Sequence, residues 1–248
     1  MTLFGTDGIR GEAGIAPLDD ATVFRIGAAL GRSLPSGGAA PRVVTGGDTR
    51  ESTPRILAAL AGGLARGGAI VENAGVVPTP AIAALVLERG FAAGVSVSAS
   101  HNPWRDNGIK LFGPDGGKWP DSGEKAIEEG VSDADTVAPA APFQAPEEDP
   151  ALAEAYLDHL LRISPEPIDG MPVLLDCGHG AAFELAPRLF RRSGARVESI
   201  GNRPDGRNIN AGFGALHPER AAQGVAGGDF EMGAAFDGDA DRAILCDE

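Results

Sequence analysis

The sequence predicts an α/β protein built as two consecutive α/β units, and three observations carry that prediction. Helical and strand patterns of hydrophobic residues alternate along the chain. Glycine is abundant, at 36 residues, while only 5% of residues are aromatic, which suits many tight strand-to-helix turns. The alternation restarts after Ser164-Pro165-Glu166-Pro167, a stretch that reads as a boundary. With 248 residues, 43% of them hydrophobic and 23% charged, the chain can bury one large core or two ordinary ones, and disorder over its whole length is excluded.

Taken in order, residues 19–34 read as a helix: Asp19 or Asp20 can cap it, and Val23, Ile26, Ala29, Leu30 and Leu34 recur at helical spacing. Residues 42–45 form a short strand that runs into a Gly46-Gly47-Asp48 turn. A helix over 52–66 follows, with Ser52 as its cap and Pro54 in its first turn. A strand at 69–73, a helix at 80–88 and strands at 92–97 and 108–112 complete the first unit, closing on a Gly/Pro/Asp turn at 113–117. Residues 132–150, rich in Ala, Pro, Asp and Glu, read as a linker outside the core, and residues 151–162 as a helix. The second unit has strands at 173–176, 196–200 and 233–236 and helices at 181–193 and 218–226. The chain stops just after an apolar run, residues 243–246. That run reads as a core strand, so the terminus is expected to be a truncation.

The formal net charge of −14 argues against nonspecific nucleic-acid binding, since phosphate backbones select basic surfaces. Cys177 and Cys246 form no disulfide framework and fit a reducing compartment. No basic segment followed by an apolar stretch opens the chain, and no apolar run reaches the roughly 20 residues of a membrane span. The expectation is a cytoplasmic protein with no membrane partner.

Two short motifs carry the chemistry. In Ser98-Ala99-Ser100-His101-Asn102-Pro103 an apolar strand runs into a turn that lifts Ser100 and His101 out of the carboxyl edge of a sheet, where ligands of α/β proteins bind. A hydroxyl beside an imidazole can act as a nucleophile. By themselves Ser and Asn are also ordinary turn formers. Asp106-Asn107-Gly108-Ile109-Lys110 then returns a lysine to the same edge, and a lysine whose pKa is lowered by its neighbours can exchange protons. Together these two stretches resemble the active-site loop of the α-D-phosphohexomutase family. The resemblance implies that Ser100 is a phosphoserine that donates and recovers a phosphoryl group, with His101 beside it and Lys110 as general acid/base.

In Asp237-Gly238-Asp239-Ala240-Asp241-Arg242, three aspartates at alternate positions aim hard oxygens at one locus, as Mg²⁺ or Ca²⁺ prefers. An EF-hand is excluded because its sixth position must be glycine and here is Arg242. A solvated acidic turn is the plain alternative, but the apolar residues 232–236 set the carboxylates at a strand's end. The stretch is similar to the same family's metal loop. The resemblance implies one Mg²⁺ held by Asp237, Asp239, Asp241 and a phosphate oxygen on Ser100, with Arg242 approaching a phosphate.

Phe4-Gly5-Thr6-Asp7-Gly8-Ile9-Arg10-Gly11 could be a mere Gly-rich turn. It also resembles the family's opening motif, in which Arg10 would face the phosphoserine and bind phosphate in bidentate fashion. With Asp7 where other branches more often carry Ser, it is similar to the branch acting on glucosamine phosphates. Residues 47–52 and 77–81 agree with that branch and read as turns and caps that shape the cleft. Asp176-Cys177-Gly178-His179-Gly180 resembles a family turn in which His179 replaces Asn; with no second His or Cys placed to join it, it reads as a turn variant and not a metal ligand. Asn208-Ile209-Asn210 also follows the branch, while Phe213 and Ala240 depart from its usual Cys and Gly.

As a whole, the resemblance implies two α/β domains of the phosphohexomutase type, residues 1–163 and 168–248, with mixed sheets sandwiched by helices. Neither the family's sugar loop, of Gly-Glu-Ser-Gly-His type, nor its Arg/Ser/Gly/Thr phosphate loop occurs in these 248 residues, so the chain reads as half of a four-domain mutase. The implied activity interconverts glucosamine 6-phosphate and glucosamine 1-phosphate through a 1,6-bisphosphate, with glucosamine or glucose 1,6-bisphosphate as activator. The alternatives are a mutase of glucose or mannose phosphates and a noncatalytic metal-binding fragment. A homo-oligomer is compatible with either.

Overall fold

The structure, a computed structural model, describes residues 3–35, 37–132, 138, 142–164 and 166–247. Pro165 of the predicted boundary, residues 133–137 and 139–141 of the predicted linker, and Glu248 lie outside the described residues.

The first unit holds a five-stranded mixed sheet of β1 (Ile9–Glu12), β2 (Arg42–Gly47), β3 (Ile70–Val76), β4 (Ala93–Val97) and β5 (Asp106–Phe112), in the order β1-β5-β4-β2-β3. β2 runs parallel to β3 and β4, whereas β5 is antiparallel to both β4 and β1. Residues alternate across the sheet. Val43, Val95, Val97, Ile109 and Leu111 face α1 (Asp20–Ser33), α2 (Thr53–Arg66) and Ile127 of α4 (Asp121–Val131). Val44 and Ala74 face α3 (Thr79–Arg89) and α5 (Pro150–Ile163). The second sheet, in the order β7-β6-β8-β9, joins β6 (Pro172–Asp176), β7 (Arg196–Ile200), β8 (Met232–Phe236) and β9 (Ala243–Cys246). Here α6 (Ala182–Arg192) packs on Val173 and Leu175, while α7 (Glu219–Ala226) lies on the face that presents Leu174. Both sheets are mixed and sandwiched by helices, as expected. Leu185 of α6 joins the cluster of α3 and α5, so the two units share an apolar contact.

Asp19 caps α1 as expected: its carboxylate accepts from Thr22 N at 3.0 Å. Other expectations are corrected. Gly46 and Gly47 are strand residues of β2, not a turn. A Cβ at Gly47 would lie 2.6 Å from the Val97 carbonyl, so glycine here permits the close β2–β4 approach. Ser52 makes no side-chain cap to α2 among the described residues; its hydroxyl accepts from Asn107 Nδ2 at 2.9 Å. Strand β1 and helix α4 had no signal in the periodicity. β1 is four residues long and gains its order by pairing with β5, and α4 buries only Glu124 and Ile127. In the predicted linker, Phe143 stacks on Phe24 with ring centroids 5.5 Å apart, so part of it packs on the core. The apolar run at 243–246 is an edge strand, with Ile244 and Leu245 exposed, rather than a core one.

Candidate active site

Strands β4 and β8 end at facing loops. The chain leaves β4 at Val97 and passes through Ser98 to Ser100, whose φ of 52° is left-handed. It leaves β8 at Phe236 and enters the aspartate triplet. Antiparallel pairing sets Lys110 of β5 opposite Ser96 of β4, so the lysine reaches the same edge. The loops touch at Gly238, where a Cβ would lie 2.5 Å from the Ser100 carbonyl oxygen. They are fastened by Asn210 Nδ2, which donates to that oxygen at 3.0 Å, and by Thr79, which donates through N and Oγ1 to Asp239 O and Oδ2 at 2.9 and 2.8 Å.

The Ser100 hydroxyl, 3% exposed as a residue, donates to Asp237 Oδ2 at 2.7 Å and accepts from Arg242 Nη2 at 3.1 Å. His101 Nδ1 lies 3.4 Å from Ser100 Oγ and 2.8 Å from Arg242 Nη2. Lys110 Nζ sits between Asp239 Oδ2 at 3.0 Å and the Oδ2 atoms of Asp241 and Asp7 at 3.2 Å each. Arg10 is anchored to Asp7 at 2.7 Å and donates to the Ala99 carbonyl at 3.2 Å, one residue before Ser100.

Burial disfavours charge on Asp237, but hydrogen bonds from Ser100 and Arg242 outweigh it and hold this carboxyl below its ordinary range. Asp241 is pushed up, by burial first and then by the charges of Asp239 and Asp237. Burial also works against the charge on Lys110, yet Asp239, Asp241 and Asp7 prevail and its pKa is raised. The neighbours of Lys110 therefore hold its proton rather than loosen it.

One oxygen from each of Asp237, Asp239 and Asp241 lies within 4.8 Å of the others. Asp239 Oδ1 is buried without a partner among the described residues. An all-carboxylate set with an unsatisfied inward oxygen fits a hard divalent cation. His179 lies outside this set. It holds a turn at φ 52°, its Nδ1 accepts from Arg203 N, and its ring meets Phe213 edge-on.

The motifs thus come together as a site: Ser100 and Arg242, with His101 beside them, meet at Asp237, the buried Lys110 bridges Asp239 and Asp241, and Arg10 lies at the rim. Sequence reasoning missed the supports. Asp48 and Arg50 form a fully buried ion pair behind the serine loop, and Thr79 and Asn210 tie the loops together. The motif at 47–52 flagged the region, but a cap and a buried ion pair look alike in sequence.

Residues 1–138 match the family described as phosphoglucomutase/phosphomannomutase, alpha/beta/alpha domain I, and residues 154–248 match its alpha/beta/alpha domain II. The chain belongs to this family. The α-D-phosphohexomutase resemblance read from the motifs is borne out. Relatives include a phosphoglucosamine mutase of Solibacter usitatus (strain Ellin6076), 49% identical over 98% of this chain and 54% of its own, and one of Deinococcus radiodurans, 44% identical over 98% and 55%. Among solved structures, a phosphoglucomutase/phosphomannomutase family protein of Burkholderia thailandensis superposes with a TM-score of 0.79 at 30% identity, over 99% of this chain and 54% of that one. The chain spans about half the length of the curated relatives it matches. Within the family fold, no helix among the described residues is long and apolar enough to cross a membrane.

Proposed function

We propose that this chain supplies the phosphoryl-carrying and metal-binding half of a cytoplasmic phosphoglucosamine mutase, with domains at residues 1–163 and 168–248. The observation that carries the reading is the Ser100 hydroxyl, 2.7 Å from Asp237 and 3.1 Å from Arg242, beside a triad of carboxylates. The likeness to phosphoglucosamine mutases at 49% and 44% identity supports the choice of hexosamine phosphate.

In this reading phospho-Ser100 transfers its phosphoryl group to glucosamine 6-phosphate. The bond to Ser100 Oγ breaks, one to the sugar C1 oxygen forms, and a 1,6-bisphosphate results. After reorientation the 6-phosphoryl group returns to Ser100, leaving glucosamine 1-phosphate. Ser100, Asp237, Asp239 and Asp241 would hold one Mg²⁺. When bound it supplies neutralising charge at the transferring phosphoryl oxygens. Arg242 and Arg10 bind phosphate oxygens, the first already in contact with Ser100 Oγ. His101 buttresses Arg242 at 2.8 Å. In each transfer the attacking hydroxyl gives up its proton and the departing oxygen takes one; Lys110, kept protonated at Nζ by its neighbours, would donate to the departing oxygen and recover its proton from the attacking hydroxyl. A lost phosphate is restored by glucosamine or glucose 1,6-bisphosphate.

The test combines phosphorylation and turnover. Protein incubated with Mg²⁺ and glucose 1,6-bisphosphate should take up one phosphoryl group, which peptide mapping assigns to Ser100; uptake only on Ser98, or none, would sink the reading. The full-length protein should convert glucosamine 6-phosphate faster than glucose or mannose phosphates, and the reverse order would make it a phosphoglucomutase/phosphomannomutase. Residues 1–248 alone should not turn over appreciably. Positioning supplies up to roughly 7–11 kcal/mol in such reactions, and the loops expected to grip the sugar are not in this sequence.

A further inference from the structure

The serine loop contains two hydroxyls two positions apart, and a buried charged pair behind it treats them differently. Arg50 and Asp48 have side chains with 0% exposure. Asp48 Oδ1 accepts from Arg50 N and from Thr53 Oγ1, each at 3.0 Å, and Oδ2 accepts from Arg50 Nη1 and from Ser98 Oγ at 2.5 Å. The single hydroxyl hydrogen of Ser98 is thus spent on a buried carboxylate, in a charge-assisted bond. Ser98 Oγ in turn accepts the Ser100 N–H at 2.9 Å. The other guanidinium nitrogen, Arg50 Nη2, donates to the Ser100 carbonyl at 3.1 Å and to the Asn102 carbonyl at 2.6 Å. Both backbone groups of Ser100 are therefore held by one network, and held at a φ of 52°. That conformation is unfavourable for any residue with a Cβ and persists only when its surroundings over-determine it.

We propose that Asp48 and Arg50 are positioning residues which, through Ser98 and the Ser100 and Asn102 carbonyls, lock the Ser100 peptide in the left-handed conformation, so that Ser100 and not Ser98 presents its hydroxyl to the aspartate triad. The inference rests on Ser100 being the phosphoryl carrier. Neither Asp48 nor Arg50 touches substrate in this account. They act by tying the Ser98 hydroxyl to Asp48, away from the aspartate triad that the Ser100 hydroxyl meets at Asp237, and by denying Ser100 its right-handed alternative. The guanidinium fork is what spans two carbonyls and a carboxylate at once, a geometry that a lysine ammonium, a point charge on a flexible stem, does not reproduce.

The test uses the full-length, Mg²⁺-loaded protein with glucose 1,6-bisphosphate as phosphoryl donor. Arg50→Lys keeps a cation opposite Asp48 but loses the fork, and Ser98→Ala removes the acceptor of the Ser100 N–H. In both, the rate constant for phosphorylation of Ser100 should fall on the order of 10²-fold, the loss expected of a reacting group displaced by about 1 Å. The KM for the bisphosphate should change less than about twofold, on the same grounds. Amide hydrogen exchange at Ser100 should speed up in both variants while the strands of the first sheet keep their protection. Wild-type rate and wild-type exchange in Arg50→Lys would overturn the proposal, as would a rise in KM at unchanged rate, which would put Arg50 in substrate binding. Should Arg50→Lys fail to fold, Ser98→Ala decides by the same readouts. Should the wild-type protein take no phosphate on Ser100, the proposed function fails, and the exchange measurement still decides whether the network locks the peptide.

Discussion

Replacing Gly238 by alanine tests whether the two loops must touch. A Cβ at this position would lie 2.5 Å from the Ser100 carbonyl oxygen and 2.8 Å from Asn210 Nδ2, against an ordinary contact of 3.4 Å or more. The loops must separate by about 0.9 Å to admit it, since the nearest atom is backbone rather than the far end of a flexible side chain. The 2.7 Å bond from Ser100 Oγ to Asp237 and the 3.0 Å bond from Asn210 to Ser100 O would then lengthen beyond hydrogen-bonding range. Overpacking of this kind costs about 1–3 kcal/mol, and leaving a buried polar group unpartnered adds about 1–3 kcal/mol. Gly238→Ala should therefore lower unfolding free energy in urea by about 2–6 kcal/mol. It should also weaken Mg²⁺ binding in calorimetry, since Asp237 and Asp239 flank the shifted residue. Gly37→Ala is the control: a Cβ there meets nothing within 4 Å, and stability should be unchanged or slightly raised. A Gly238→Ala protein within about 0.5 kcal/mol of wild type, with Mg²⁺ affinity intact, would refute the claim that the loops are in obligatory contact.

Asp239→Asn removes a charge and a hard oxygen from the triad proposed to hold Mg²⁺ and should reduce Mg²⁺ affinity at least about tenfold in calorimetry; unchanged affinity would move the proposed metal site elsewhere. Leu157 of α5 is wholly buried in the cluster that α5 shares with α3 and Leu185 of α6, so Leu157→Ala should cost about 2–5 kcal/mol in chemical denaturation, and a loss under about 1 kcal/mol would contradict its place in that core. Burial pushes the Asp19 carboxyl up, but hydrogen bonds from Thr22 and the first backbone amides of α1 prevail and hold it below its ordinary 3.8. With the folded pKa depressed, the cap's contribution, about 1 kcal/mol, is full above the unfolded value and fades as pH falls through the folded one. Asp19→Ala should therefore destabilise at neutral pH and converge on wild type in acid; a gap that persists in acid would contradict the capping role.

What could be read from the sequence is what lies close along the chain. The helix over 19–34 announces itself through an N-cap and a 3.6-residue repeat, and the structure returns it as Asp20–Ser33. The serine and aspartate motifs are each six contiguous residues, so their chemistry is visible before folding. Strand β1 and helix α4 were invisible because their order comes from partners, β5 for one and α1 for the other, and not from their own pattern. Gly46 and Gly47 were misread as a turn because a glycine that permits close strand packing looks the same in sequence as one that permits a bend. The site's supports were equally hidden. Thr79 and Asp239 are 160 positions apart, Asn210 and Ser100 are 110 apart, and only packing one sheet edge against the other brings them within hydrogen-bonding range. The local sequence determined which groups can do chemistry here. The tertiary structure decided which serine hydroxyl meets the aspartate triad, because packing turns Ser98 toward Asp48 and Ser100 toward Asp237.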